Sequence, residues 1–261
     1  MSGYSLRGLN WFNALSAGAK SVEGLPPSLR VADGELGRFI AVVADPDNRF
    51  SRARNGEVGL LEGWGLAKVV DDAITADRDK AQKRPIIAIV DVPSQAYGRR
   101  EEALGIHQAL AGAADSYARA RLAGHPVIAL LVGKAMSGAF LAHGYQANRL
   151  IALRDPGVMV HAMGKASAAR VTLRSVEELE ALAASVPPMA YDIDSYASLG
   201  LLWETLSVQQ IEQPTAEDLS RVNECLKQAI DDISSTDLSN RLGAKNRAAS
   251  SKVRELLRAQ W

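Results

Sequence analysis

The sequence predicts an α/β protein with a mostly parallel central sheet and a helical C-terminal region. Short apolar runs of strand length alternate with helical patterns, and this alternation is typical of strand–helix–strand units. The runs lack regularly spaced polar residues, which favours strands that are covered on both faces. The apolar runs are residues 39–43, 86–90, 127–132, 150–153 and 158–160.

Composition limits the classes of protein to which the chain can belong. Its 261 residues include 30 Lys and Arg against 30 Asp and Glu, and this zero net charge argues against sequence-independent nucleic-acid binding, which needs a basic face. The single cysteine, Cys225, excludes an internal disulfide framework and a zinc cluster built on several cysteines. No repeat or long linker divides the chain, so we expect one domain over residues 1–261, with a helical segment at 1–20.

Two segments bear on membrane association. Residues 1–20 lack the basic start and long apolar stretch of a signal peptide. Residues 122–148 carry only one fixed charge, on Lys134, but glycines divide them. This pattern predicts a buried strand, a tight turn and a buried helix rather than a membrane span. We therefore expect a cytoplasmic protein without a membrane partner.

Helix starts can be recognised in the second half of the chain. Residues 101–122 carry two apolar rows at helical spacing, which predicts a helix buried on more than one side. Farther along, Ser175 with Glu178 and Thr215 with Asp218 have the spacing of capping boxes. The C-terminal third is therefore predicted to be helical.

The last helix has an apolar side that ends in Trp261 and includes Val253, Leu256 and Leu257. Such a stripe packs either on its own domain or on a partner subunit. We expect the helices within residues 215–261 to contact a partner subunit, and packing on the chain's own domain remains open.

Two turns follow directly after apolar runs. Residues 91–102 follow the run at 86–90, and residues 133–140 follow the run at 127–132. In a parallel sheet both turns lie at the carboxyl ends of strands, where ligands bind in α/β proteins. These turns are the candidate sites of chemistry.

The second turn has a physical use that its small residues suggest. Ser137, Gly138 and Ala139 allow a ligand to approach the backbone closely. The first amides of the following helix lack intrahelical acceptors and lie at the positive end of its dipole. Each such amide stabilises a developing oxyanion by about 3–4 kcal/mol. The other interpretation, that small residues only permit close strand–helix packing, stays equally open.

A hydrolase with Ser137 as nucleophile is disfavoured. The nucleophile-elbow pattern needs glycine two residues before and two after the serine, and this chain has Ala135 and Ala139 there. A Ser…Asp…His order would also have to use Asp155 and His161, only six residues apart.

Four histidines are present, and their spacing matches no compact metal motif, so we expect no metal site. We expect most of them to have structural roles. His143 and His161 are the better candidates for proton transfer. Arg49, Arg52 and Arg54 form a basic loop, which is either a solvated surface or a contact for a phosphorylated carrier.

Motifs at both turns resemble those of the crotonase-like carboxyltransferase superfamily. Residues 91–106 resemble D-x-P-G-[FY]-x-x-G-x-x-x-E-x-x-G-I, and residues 133–139 resemble G-K-A-[YF]-G-G-A. Residues 5–12 and 39–50 are similar to the gamma subunit of biotin-independent malonate decarboxylase. The resemblance implies a crotonase-like ββα spiral of the carboxyltransferase type.

The same resemblance implies an activity and partners. A heterodimer with a related beta subunit would decarboxylate a malonyl thioester to the acetyl thioester. The thioester is carried by an acyl carrier protein on a phosphoribosyl-dephospho-CoA arm, so this chain would bind no cofactor directly. Two alternatives remain: a carboxyltransferase subunit of a biotin-dependent carboxylase, and a non-catalytic scaffold that completes the active site of the beta subunit.

The resemblance also suggests residue roles for an oxyanion-stabilised enolate. Oxyanion amides fall on Gly138 and Ala139, and less securely on Gln95 and Ala96. The proton for the new methyl group would come from Tyr97, His143 or water. The expected substrate-binding residues are Ser94, Met136, Ser137 and Phe140.

The chain departs from the superfamily pattern at three of these positions. Ser94 replaces the usual glycine after Pro93, Gln95 replaces an aromatic residue, and Ser137 replaces the first glycine of the second turn. A larger side chain at Ser94 narrows the approach to the first turn.

Overall fold

The computed structural model describes residues 3–234, 238–242 and 244–261. Its sheet has the strand order β1-β2-β3-β4-β5-β6-β8, with β7 paired to β5. The β1–β2 and β2–β3 pairs are antiparallel, and the later pairs are parallel. The strands are β1 (Lys20–Ser21), β2 (Leu29–Asp33), β3 (Arg38–Val42), β4 (Ile86–Val92), β5 (Val127–Met136), β6 (Arg149–Leu153), β7 (Met159–His161) and β8 (Glu204–Leu206).

Each of the five apolar runs coincides with a strand, with Val43 and Val158 just outside the strand ends, which confirms the predicted α/β class and its mostly parallel core. Every residue of β3, β4 and β6 is buried, as expected for strands covered on both faces. Sequence analysis missed β1, β2 and β8. These strands are short or carry charged residues such as Arg30 and Glu204, so they lack a continuous apolar signal.

The strand β5 is divided between two partners. Its residues 128–131 pair with β6, and its residues 134–136 pair with β7. The strand therefore continues through residues that sequence analysis assigned to the turn, and the helix starts only at Ser137. Gly133 lies at the join, where an added Cβ would meet the Asp91 Oδ1 at 2.1 Å. Only glycine fits between the two halves of β5.

Helices cover the sheet, and two more, α9 (Ala216–Asp231) and α10 (Ala248–Gln260), follow its last strand. The predicted helix over 101–122 is interrupted at Gly105, whose φ of +82° is left-handed and separates two helices. The helices in the described residues are α1 (Arg7–Leu15), α2 (Leu60–Ala76), α3 (Arg99–Ala103), α4 (Ile106–Leu122), α5 (Ser137–Ala142), α6 (Lys165–Thr172), α7 (Val176–Ala183), α8 (Ile193–Ser198), α9 (Ala216–Asp231) and α10 (Ala248–Gln260).

Both predicted capping boxes are present. The side chains of Ser175 and Thr215 accept hydrogen bonds from the N–H groups of Glu178 and Asp218, at the starts of α7 and α9. At the other end of the chain, α1 lies within residues 1–20, the segment predicted to be helical, and Lys20 belongs to β1. The buried Trp11 of α1 donates a hydrogen bond to the Ile211 carbonyl at 2.8 Å.

The two C-terminal helices differ in burial. Val222, Cys225 and Leu226 of α9 lie in the main core, so this face of α9 packs on the chain's own domain. The apolar side of α10 is exposed, with Leu256 and Leu257 each 52% accessible. Residues 1–2, 235–237 and 243, which the predicted terminal segments include, lie outside the described residues.

Candidate functional site

The two predicted turns meet at the carboxyl edge of the sheet. Because β4 and β5 are parallel neighbours, the chain leaves both strands on the same side. The first turn passes through Gln95, and the second enters α5 at Ser137. The N–H of Gln95 donates to the Ser137 Oγ at 3.3 Å, which joins the turns directly. The prediction that both turns lie at the carboxyl ends of strands is confirmed.

The side chain of Gln95 lies against the second turn. Its Oε1 accepts a hydrogen bond from the Gly138 N–H at 2.9 Å and another from the Ser137 hydroxyl. One carbonyl oxygen therefore takes two donors from the start of α5. Only a backbone role was predicted for Gln95, because the partners of its side chain lie 42 and 43 positions away along the chain.

Ser137 has a strained backbone. Its φ of +52° lies in the left-handed region, which residues with side chains rarely adopt. The superfamily pattern has glycine here, for which this conformation carries no steric cost. A serine in this position is unusual, and such strain tends to persist at functional sites.

Two of the amides predicted to hold an oxyanion do not fit that role. The Ala96 N–H donates to the Val58 carbonyl at 2.9 Å, in a bridge between backbone segments. Ala139 is fully buried, so its N–H reaches no open surface. The Ala96 amide is therefore part of the fold's own hydrogen bonding, and Ala139 lies on the buried side of α5.

The amides of Gly138 and Gln95 donate to side chains and not to the backbone. Both residues are partly exposed, and each amide is bonded to a side chain rather than to backbone. A hydrogen bond to a side chain can be exchanged for one to a ligand after a rotamer change. The geometry therefore favours Gly138, with Gln95 in second place.

A cavity of about 340 Å³ lies beside the second turn. Of the residues expected to bind substrate, Ser137 and Phe140 line it, and Met136 is buried nearby in a small apolar cluster. Phe140 packs edge-on against Tyr145, with ring centroids 5.3 Å apart. The cavity is also lined by Gly138, Leu141, Val160, His161, Tyr196 and Leu199. Its lining is mostly apolar, and its polar groups come from the turn, His161 and two tyrosines.

His143 does not fit its predicted role as proton donor. Its ring is fully buried, with Nδ1 3.0 Å from the Tyr117 hydroxyl and Nε2 3.0 Å from the Ile89 carbonyl. Burial lowers the pKa of His143 to about 4, which favours the neutral ring. His143 was predicted to lie on the helix after the turn, and its burial follows from contacts with distant segments such as Tyr117 and Ile89.

Tyr97 is exposed to solvent, whereas His161 is partly buried at the cavity. The Tyr97 side chain is 56% exposed in the first turn. His161 lines the cavity and stacks on Tyr191, with ring centroids 3.9 Å apart, and its Nδ1 lies 3.0 Å from the Met163 carbonyl. Partial burial lowers the pKa of His161. Of the two histidines considered for proton transfer, only His161 reaches the cavity.

A buried carboxylate connects the turns to α1. The Asp91 Oδ2 accepts from the Gly8 N–H, and its Oδ1 accepts from the Lys134 N–H, each at 3.1 Å. In the sequence, Asp91 is notable only as the first residue of a motif. The structure explains the residue, because its carboxylate ties the end of β4 to β5 next to Gly133.

The basic loop lies beside the first turn. Arg52 lies next to Gly98, since a Cβ added there would be 3.6 Å from the Arg52 Cγ. The guanidinium groups of Arg49 and Arg100 lie 4.9 and 5.2 Å from the centre of the Phe50 ring. Arg49, Arg52 and Arg100 are exposed, so the loop offers several cations near the turn.

The described residues hold neither a metal-binding cluster nor a helix suited to cross a membrane. Across residues 3–234, 238–242 and 244–261, no group of three or more His, Cys, Asp or Glu side chains is arranged to hold a metal ion. In the same part of the chain, no helix combines the length and apolar character needed to cross a bilayer.

Comparisons with known proteins agree with one family. The family model described as malonate decarboxylase gamma subunit matches residues 53–261. A crystal structure of a Pseudomonas malonate decarboxylase hetero-tetramer in complex with coenzyme A contains a chain 73% identical to this one. The match covers 98% of this chain and 99% of that one, with a TM-score of 0.94. The crystal structure of the Pseudomonas malonate decarboxylase MdcD–MdcE hetero-dimer contains a chain that is 69% identical. That match covers 98% of this chain and 99% of the other, with a TM-score of 0.91.

A curated relative from Malonomonas rubra is described as malonyl-S-ACP:biotin-protein carboxyltransferase MADD. It is 38% identical over 157 residues, which are 59% of this chain and 54% of that protein, so the match spans about half the length of this relative.

The distant likeness concerns the fold alone. Transcarboxylase 12S is 20% identical, with a TM-score of 0.62 over 87% of this chain and 42% of the other. This likeness confirms the crotonase-like carboxyltransferase fold that the motifs at the two turns imply. With the family model covering most of its length, the chain belongs to the malonate decarboxylase gamma subunit family.

Proposed function

We propose that this chain is one half of a decarboxylase that converts a carrier-bound malonyl thioester to the acetyl thioester. The observation that supports the proposal best is the start of α5, where the Gly138 N–H already binds a carbonyl oxygen beside an apolar cavity. A thioester oxygen is chemically similar to the carboxamide oxygen held there.

The reaction needs a site for negative charge. The bond between the carboxylate carbon and the methylene carbon breaks, CO₂ leaves, and the electron pair forms an enolate whose charge lies on the thioester oxygen. The Gly138 N–H would stabilise that charge. The enolate carbon then takes a proton from water or from Tyr97, which completes the methyl group.

The apolar wall has a separate role. Phe140 and Leu199 line the cavity beside the turn. Electrostatic interactions are stronger in such a poorly hydrated site, so the donor acts more strongly on the developing oxyanion than it would in water.

We also propose the partners of this chain. The Pseudomonas structures are of a hetero-dimer and hetero-tetramers, which supports a complex with a related beta subunit. An acyl carrier protein would bring the thioester on its phosphoribosyl-dephospho-CoA arm. Arg49, Arg52 and Arg100 beside the first turn are suited to the phosphates of such an arm. We place the complex in the cytoplasm, without biotin or a metal ion in this chain.

The test is a substitution at Gly138. A Cβ added here would lie 3.3 Å from the Gln95 Oε1, so alanine nearly fits, whereas leucine fills the space of the bound oxygen. In the reconstituted complex, we expect Gly138→Leu to lower kcat about 100- to 1000-fold, the range for loss of an oxyanion donor.

Gly138→Ala is the matched control and should stay within about tenfold of the parent. Size-exclusion chromatography checks that both variants still assemble. Normal turnover by an assembled Gly138→Leu complex would remove this turn from the reaction.

A second function, carboxyl transfer to a biotinylated carrier, is favoured by the Malonomonas rubra relative. The two functions separate on one measurement. Decarboxylation releases CO₂ in the presence of avidin, whereas transfer to biotin stops when avidin is added.

A scaffold role is the remaining alternative. Pairing this chain with a beta subunit whose own site has been disabled distinguishes a scaffold from a catalytic subunit. Residual turnover would place catalytic groups in this chain, and zero turnover would be compatible with a scaffold.

A further inference from the structure

The side chains of Gln95 and Ser137 form a small hydrogen-bond system at the proposed oxyanion site. The Gln95 Oε1 accepts from both the Gly138 N–H and the Ser137 hydroxyl. The oxygen is a carbonyl oxygen, and two donors converge on it. This is the arrangement that stabilises a thioester oxygen as it becomes anionic.

The orientation of the Ser137 hydroxyl is set by the backbone. The Gln95 N–H donates to the Ser137 Oγ at 3.3 Å. The hydroxyl oxygen accepts this bond through a lone pair, and its single proton is donated to the Gln95 Oε1. The left-handed φ of Ser137 places the side chain there, directly beside the Gly138 N–H.

The Gln95 carboxamide is held at one end only. Within the described part of the chain, its Nε2 has no hydrogen-bond partner, so the side chain is fixed through Oε1 alone. Gln95, Ser137 and Gly138 are all partly exposed. Exchange of Oε1 for another carbonyl oxygen breaks two hydrogen bonds and forms two of the same kind.

Gln95 and Ser137 are also two of the three positions where the chain departs from the superfamily pattern. The pattern has an aromatic residue and a glycine there, neither of which can form this pair. The two departures contact each other, as expected if they serve one purpose.

We infer that the Ser137 hydroxyl is the second oxyanion donor beside the Gly138 N–H, and that the Gln95 carboxamide occupies this donor pair until a thioester carbonyl displaces it. The inference rests on the proposed decarboxylase function. It assigns Ser137 a catalytic contact, and it gives Gln95 a role in tuning substrate affinity.

The first test removes the hydroxyl. Ser137→Gly keeps the backbone conformation at no steric cost. In the reconstituted complex, we expect kcat to fall about 100-fold, at the lower end of the range for an oxyanion donor. A carbonyl-labelled thioester analogue bound to the variant should show its infrared stretch at higher frequency than in the parent, because one hydrogen bond is lost. An unchanged kcat and an unchanged stretch would overturn the donor role.

The second test removes the competing oxygen. Gln95→Met has a similar shape and keeps the backbone N–H that orients Ser137. While the Gln95 carboxamide occupies the two donors, the substrate cannot bind them, so its apparent affinity is lower than its intrinsic affinity. Removal of this competitor should therefore lower KM about threefold or more. In the double variant with Ser137→Gly the gain should shrink, because the competitor has lost one of its donors. A KM that is unchanged or raised in Gln95→Met would overturn the role of Gln95.

The outcomes are distinguishable from failure of the proposed function. If Gly138→Leu abolishes turnover while Ser137→Gly does not lower it, the inference fails and the proposed function stands. If neither variant changes turnover in an assembled complex, the turn takes no part in the reaction and both fail.

Discussion

The two turns at the carboxyl edge of the sheet use their amides differently. In the first turn, the Ala96 N–H is committed to the Val58 carbonyl in a backbone bridge. In the second, the Gly138 N–H is held only by the carboxamide of Gln95. Backbone bridges are part of the fold and are lost only with it, whereas a side chain can rotate away. The comparison shows that position at the end of a strand is insufficient, because a useful donor also needs a partner that can leave.

The largest expected effect comes from a change that disturbs both turns together. Gly133→Ala places a Cβ against Asp91, whose carboxylate accepts from Gly8 and Lys134. We expect a loss of about 3 kcal/mol or more in the free energy of unfolding, from overpacking and the broken buried hydrogen bonds. Urea unfolding measures it.

Gly164→Ala is the control for that experiment, because a Cβ there has no neighbour within 4 Å. It should cost less than about 1 kcal/mol. Equal losses in the two alanine variants would show that the contact at Asp91 does not hold the turns together.

An intermediate effect is expected at His143, which follows α5 but faces the core. Its folded-state pKa of about 4 lies below the ordinary value of 6.5, so its contribution to stability is full above pH 6.5. That contribution is lost as the pH falls towards 4, amounting to roughly 3 kcal/mol. Acid unfolding should therefore be less steep between pH 6.5 and 4 in His143→Gln than in the parent.

Turnover at neutral pH separates a structural from a catalytic His143. We expect kcat of His143→Gln to stay within about threefold of the parent, because the ring is buried and its two nitrogens are hydrogen-bonded to Tyr117 and Ile89. A loss above about 100-fold in a folded, assembled variant would instead return His143 to the reaction.

The smallest effect on stability is expected far from both turns, on α10. Leu256 is 52% exposed on its apolar side, so Leu256→Glu should change the free energy of unfolding by less than about 0.5 kcal/mol. If α10 contacts the partner subunit, the same variant should weaken assembly about tenfold or more. Analytical ultracentrifugation of the mixed subunits measures this, and unchanged assembly would leave α10 outside the interface.

Prediction from sequence succeeded where the signal was local. The apolar runs located five strands, and the capping boxes located the starts of α7 and α9, because burial on both faces and helix capping each leave a short pattern. The antiparallel strands β1 and β2 were missed, because β2 is short and contains the charged residues Arg30 and Asp33. The break at Gly105 was missed for a related reason, as a glycine within a helical pattern does not reveal the sign of its φ.

The candidate site was only partly predictable for the same reason. Small residues at Ser137 and Gly138 and their place after a strand could be read from the chain. The fate of each amide could not, since the Gln95 side chain, the Val58 carbonyl and the burial of Ala139 all depend on contacts between distant segments.

The sequence by itself determined the class of fold, the order of its elements and the two turns that end neighbouring strands. These follow from hydrophobic periodicity and from residues close together in the chain. Only the tertiary structure decided which donors remain exchangeable, that His143 is sealed in the core while His161 reaches the cavity, and that Gln95 sits on the donors of α5. A hydrogen-bond partner or a burial depth is set by segments that meet only after folding.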